Sequence, residues 1–289
     1  MACCQLALAT DSIITSYMIQ FLTQDKDFFP QPLVEKFLYV KEIGFDGFEI
    51  DGKFLLNDFE AVQKAIKITG FSVPTCCGGY EGWIGDFSEE KRQKAIRQIS
   101  VLLERIAAIG GRGVVVPAAW GMFSLRLPPM ISPRTAEEDE TVLLNSLQYL
   151  NEAAKKNAAT LFLEPLNRYE DHMINTLQRA NYYIEKGGFT NVSVIADFYH
   201  MNIEEAKIDE SLKQNENIIG HIHLADSHRY QPGSGHIDFV KGFMALKEIN
   251  YSGAMAFECR VIGDDAEKEY KKSLQYIKDT FHHVWENKS

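Results

Sequence analysis

Short apolar runs alternate with longer amphipathic ones along most of the chain. The β-rich runs predict strands at Gln5–Thr10, Phe45–Ile50, Phe71–Cys77, Gly113–Ala118, Thr160–Leu166, Ser193–Phe198, Ile219–Asp226 and Ala254–Cys259. Between them apolar residues recur every three or four positions, the period of a helix with one buried face. Ile96, Ile99, Leu103 and Ile106 follow it, and Gly110–Gly111 closes that helix. So do Leu143, Leu147, Leu150 and Ala154, and over a shorter span Phe59, Val62 and Ile66. A last helix carries Tyr270, Leu274, Ile277, Phe281 and Val284.

Eight strand–helix repeats predict a (β/α)8 TIM barrel as a single domain, and 289 residues slightly exceed the roughly 250 typical of that fold. A doubly wound open sheet is the runner-up. It more often has a glycine-rich phosphate loop after its first strand, and ALATDSIITS contains no glycine. Two connections are too long for plain turns, residues 12–33 and 119–135. Both would leave the C-terminal ends of strands, where a barrel builds its active site. Their aromatic residues fit a lid or substrate wall, or equally a rim packing surface or subunit contact.

Composition narrows the class. The chain is 45% hydrophobic and 24% charged, with a net charge of −10 and no block of Lys and Arg, so nucleic acid is not an expected partner. No apolar run is long enough for a bilayer. The start, MACCQLALATD, has no basic leader, and the five cysteines lack zinc-site spacing. A reducing cytoplasm is the expected setting.

Chemistry concentrates at strand ends. Glu164 follows the buried run Leu161–Phe162–Leu163, where an unpaired carboxylate costs several kcal/mol. Asp197, His223 and Glu258 take the equivalent place on the next three strands, at separations of 33, 26 and 35 residues, each about one repeat. Phe162, Ile195, His221 and Ala256, two residues earlier, share the inward face. Three carboxylates and one imidazole suit a single divalent cation, Mn²⁺ first, with Co²⁺ or Mg²⁺ as alternatives. Two octahedral positions then remain for neighbouring oxygens of a hydroxyketone. Pairing of these carboxylates with Arg168 or Arg260 is the competing explanation. His221 reads as a hydrogen-bonded core histidine one layer deeper.

Glu164 and Glu258 come from non-adjacent strands and could face opposite sides of a substrate carbon. One would remove a proton and the other return it, through an enediolate. His200 and Arg229 are placed to hold substrate oxygens, and Glu170 to orient Glu164 or Arg229.

The segments EPLNRYEDHMINT, ADFYHMNIEE, GHIHLADSHRYQPGSGH and AFEC together resemble the sugar epimerase/isomerase barrels related to xylose isomerase, most nearly the ketose 3-epimerases of the tagatose and psicose type. The resemblance runs from about Phe45 to the end and is densest over 164–258. It implies metal binding by Glu164, Asp197, His223 and Glu258, with Glu164 and Glu258 as the acid–base pair. It also implies substrate contacts from Glu170, His200 and Arg229, a small-molecule sugar substrate, and a homo-oligomer, with a hetero-subunit partner as the alternative. The opening segment and AWGMFSLRLPPMISPR differ from the family pattern, so the resemblance leaves the particular sugar open. A lyase on the same site is the second reading, resembling inosose dehydratases or the catalytic subunits of C-glycoside-cleaving enzymes that act on 3-oxo-glycosides. Only a lyase loses a fragment of its substrate.

Overall fold

The computed structural model describes residues 19–123 and 131–286. Eight parallel strands close a barrel in the order of the chain: β1 Gln20–Thr23, β2 Gly47–Asp51, β3 Ser72–Cys77, β4 Gly113–Pro117, β5 Thr160–Glu164, β6 Val192–Asp197, β7 Ile219–Leu224 and β8 Ala254–Phe257. The helices are α1 Leu33–Ile43, α2 Gly52–Asn57, α3 Phe59–Thr69, α4 Glu89–Ala108, α5 Ala136–Lys156, α6 Leu177–Gly187, α7 Phe198–Glu204, α8 Ile208–Gln214, α9 Phe239–Glu248 and α10 Ala266–Glu286. Seven of the eight strands fall where the hydrophobic pattern predicts them.

The first does not. The strand that closes the barrel is QFLT at 20–23, inside the segment expected as a loop over 12–33. The expected strand at Gln5–Thr10 lies outside the described residues, as do 124–130 of the 119–135 connection. Four residues suffice because β1 pairs along its whole length with β8, from Gln20 opposite Ala254 to Thr23 opposite Phe257. Its alternation fits both sides of the wall. Phe21 packs edge-on against Phe281 of α10 at 5.5 Å, while Leu22 turns inward against Ala254 and Ala256.

Two separate apolar regions result. The larger fills the space between strands and helices. The smaller lies inside the barrel, where Val115, Phe162 and Ile195 form one cluster. The Phe162 ring needs room, which Gly113 and Gly220 provide: a Cβ on either would come within 2.8 Å or 2.7 Å of that ring. Above this plug, toward the C-terminal strand ends, the interior turns polar.

Candidate active site

Glu164 ends β5, and Pro165, which cannot donate to a ladder, follows it. Asp197 ends β6 and also caps α7, its Oδ1 accepting from the backbone N–H groups of Tyr199 (2.7 Å) and His200 (3.3 Å). That leaves Oδ2 for the barrel mouth. His223 sits near the end of β7, and Glu258 directly follows β8. One ligand atom from each of these four residues lies within 4.8 Å of the other three. Opposite ligands of a Mg²⁺-sized ion are about 4.2 Å apart, so the set fits one shared cation.

His223 is oriented for that role. Its Nε2 donates to Glu49 Oε1 at 2.7 Å, so Nδ1 is the nitrogen turned to the cluster, 2.7 Å from Glu258 and 3.2 Å from Glu164. A carboxylate behind the imidazole fixes the tautomer and raises its basicity, as in metal centres generally. Glu49 is a residue the sequence reading missed. It lies in β2 between Phe48 and Ile50, the same acid-in-an-apolar-strand signal that marks Glu164. It also accepts from His221 Nε2 at 2.8 Å, which makes His221 the hydrogen-bonded core histidine expected. Burial opposes the Glu49 charge, yet His223 and His221 outweigh it and hold the carboxyl well below its usual range.

The competing arginine pairing resolves differently from either expectation. Arg168 pairs with Glu204, not with Glu164, through two 2.9 Å hydrogen bonds. The Arg260 side chain has no ion pair among the described residues, although it lines the mouth. It is Arg229 that bridges the cluster, reaching Asp197 Oδ2 at 2.5 Å and Glu258 Oε2. Its guanidinium lies over the Tyr199 ring, 4.8 Å from the centroid. Arg229 has φ +65°, a left-handed conformation uncommon for a residue with a Cβ. Its N–H on Asp226 O (2.9 Å) and its own carbonyl, which accepts from the Arg260 N–H (2.8 Å), hold it there.

The carboxylates are driven apart in acidity. Burial, then the charge of Glu258, pushes Glu164 up to about 7. Burial also opposes charge on Glu258 and Asp197, but Arg229 and His223 outweigh it and hold both below their ordinary values. Such a split separates a group that can hold a proton near neutral pH from one that stays ionised and can accept one.

His200 is buried, and its Nδ1 accepts from the Asn167 N–H at 3.1 Å. Its proton is therefore on Nε2, 3.9 Å from Asp197 Oδ2. Glu170 does not orient Glu164 or Arg229: its oxygens accept from Asn167 Nδ2 at 2.8 Å and from Trp120 Nε1 at 3.0 Å. It still lines the mouth, a cavity of about 690 Å³ shared with Glu164, His200, Arg229 and Glu258. Of the two aromatics in the loop after β4, Trp120 lines this cavity and Phe123 instead packs edge-on against His172 at 5.3 Å.

The family model described as xylose isomerase-like TIM barrel matches residues 37–280. The chain is 51% identical over 256 residues to 3-dehydro-D-guloside 4-epimerase of Escherichia coli K12, covering 89% of this chain and 98% of that protein. It is 32% identical over 224 residues to L-ribulose 3-epimerase of Mesorhizobium japonicum, covering 75% and 72%. The crystal structure of 3-keto-D-glucoside 4-epimerase from E. coli superposes with a TM-score of 0.88 at 50% identity, over 91% of this chain and all of that one. No described helix is long and apolar enough to cross a membrane.

Proposed function

This chain belongs to the xylose isomerase-like TIM barrel family and is a sugar epimerase/isomerase, and from that footing we propose that it inverts C4 of a 3-keto glycoside. The supporting observation is the convergence of Glu164 and Glu258 with Asp197 and His223 in one mouth, in a chain 51% identical to an enzyme of that chemistry. Glu164, Asp197, His223 and Glu258 would hold one divalent cation, for which three carboxylates and an imidazole favour Mn²⁺, with Co²⁺ or Mg²⁺ as substitutes. When bound, such an ion acidifies the C–H beside a ketone.

The rest is done by the side chains. Glu258, the carboxylate held ionised, takes the C4 proton, and Glu164, which can carry a proton near neutral pH, delivers one to the opposite face. Arg229 and the His200 Nε2–H sit where they can hold substrate oxygens and the negative charge of the enediolate. Glu170 positions the Trp120 wall. The free thiols of Cys76, Cys77 and Cys259 accord with a reducing cytoplasm.

The test is NMR of a methyl 3-keto-glucoside incubated in heavy water with the Mn²⁺-loaded protein. The expected product is the 4-epimer carrying deuterium at C4. Release of methanol would assign elimination instead, and recovery of unchanged substrate under conditions where free ketoses epimerise would refute the glycoside.

A further inference from the structure

Two cavities meet at Trp83 and Trp120. The first is the mouth of about 690 Å³ that contains Glu164 and Glu258. The second, about 750 Å³, lies between the loop after β3, the start of α4 and the loop after β4, and the same two tryptophans line it. Small-ligand sites span roughly 300–1,000 Å³, so each chamber has room for one substrate unit.

The shared wall is held by hydrogen bonds and ring contacts. Trp120 Nε1 donates to Glu170 Oε2 at 3.0 Å, and the Gly121 N–H donates to the Glu170 carbonyl at 2.9 Å. Trp83 stands edge-on to Trp120 at 6.0 Å, backed by Tyr80 at 5.7 Å. Trp120 is nevertheless 53% exposed, a large apolar surface whose single polar atom is already satisfied. Around this floor the second chamber carries charged groups, among them Glu81, Glu90, Lys91 and Lys94. Indole faces are electron-rich and favour the C–H faces of a pyranose, while carboxylates and ammonium groups pair with its hydroxyls. Glu81 and Lys94 pair with each other at 2.7 Å; a flat aromatic group would use the indoles but offer nothing to Glu90 and Lys91.

Substrate geometry links the chambers. In a pyranose, C1 lies across the ring from C4. With C4 held between Glu164 and Glu258, the C1 substituent must lead away from the carboxylates.

We infer that the second chamber is an aglycone subsite for another sugar ring, so that the substrate class is a 3-keto disaccharide. This rests on the glycoside reading above. The test compares kcat/KM of the Mn²⁺-loaded protein on the 3-keto derivatives of a glucosyl-glucose disaccharide, methyl glucoside and phenyl glucoside. The disaccharide is expected to exceed the methyl glycoside by about tenfold or more, the scale of one buried aromatic contact. Trp83→Ala should bring that ratio close to one, and Trp83→Phe should restore most of it. If Trp83→Ala does not fold, Glu90→Lys on the exposed rim must lower the same ratio. A wild-type ratio near one, or a variant that slows all substrates at an unchanged ratio, overturns the subsite alone. Preference for the phenyl glycoside overturns the sugar as occupant. No turnover of the methyl glycoside by protein that converts free ketoses refutes the glycoside reading, and the subsite with it.

Discussion

Removing the carboxylate of Glu49 should weaken metal binding from a distance, and two substitutions should do so to different degrees. Glu49 is buried and accepts four hydrogen bonds: Gln24 Nε2 and His223 Nε2 on Oε1, Thr75 Oγ1 and His221 Nε2 on Oε2. In Glu49→Gln one oxygen becomes an NH2. The better place for it is beside Thr75, whose hydroxyl can turn to accept, and beside His221, whose buried Nδ1 has no partner and can carry the proton instead. His223 then keeps an acceptor but loses its charge, about half the strength of the bond. That costs ~1 kcal/mol, or about fivefold in affinity. In Glu49→Leu both imidazoles lose their acceptor. A lost charge-assisted bond at His223 is worth ~1.5–3 kcal/mol, and about 2 kcal/mol is roughly 30-fold. Unpaired buried N–H groups also lower stability by ~1–3 kcal/mol each, so binding must be measured well below the melting temperature. Mn²⁺ titration against a competing chelator, with a thermal melt on each variant, reads both effects. A Leu variant that melts cooperatively and binds Mn²⁺ within about threefold of wild type, well short of the 10–100-fold expected for such outer partners, would refute the reasoning.

Glu164→Gln and Glu258→Gln should each lower activity by roughly 10²–10⁴-fold, the scale of a lost general acid or base, with metal content measured alongside. Either variant fully active and fully loaded would end the assignment of the pair. Asp171 offers a pH test away from the metal ligands: burial pushes its carboxyl from the ordinary 3.8 up to about 6. The folded protein therefore binds that proton more tightly, and stability is lost as pH rises through this window, by ~3 kcal/mol in total. Asp171→Asn should flatten the decline between pH 4 and 6 in denaturant titrations; an unchanged slope would show that Asp171 is not its source. Finally, Trp120→Ala should raise KM with little effect on metal content, while Phe123→Ala, packed on His172, should lower the melting temperature and leave KM near wild type. The opposite pattern would place Phe123, not Trp120, at the substrate.

Strand identity was legible wherever a β-rich run stood clear of other apolar sequence, as at GVVVP and LFLE. It failed at QFLT because four residues give only two alternations, and the aromatic residues around them mask the period. The candidate ligand cluster could be picked out because each member sits at or beside a strand end, and strand ends recur at repeat spacing. Glu49 escaped because it sits mid-strand, where spacing between strand ends carries no signal. The partner of Asp197 and Glu258 escaped for another reason. Arg168 and Arg260 are nearer in sequence to Glu164 and Glu258, but it is Arg229, held in left-handed backbone, that reaches Asp197 and Glu258. Glu170 was placed in the right cavity with the wrong neighbour, since Trp120 reaches it from a different loop.

Asp197 spends one oxygen on the first turn of α7 and the other on the ligand cluster. Asn or Ser would cap the helix about as well but bring no charge. Glu would bring the charge, but its extra methylene would carry the oxygen past the Tyr199 N–H. The position is thus narrowed by two independent filters whose intersection is a single amino acid. It also makes the start of α7 a mechanical extension of the ligand set, so His200, two residues into that turn, moves only as far as Asp197 allows. On the proposed assignment, substrate grip and cation grip on this side of the mouth are therefore tied together, and variants seeking a new sugar would do better to work at Trp83 and Trp120.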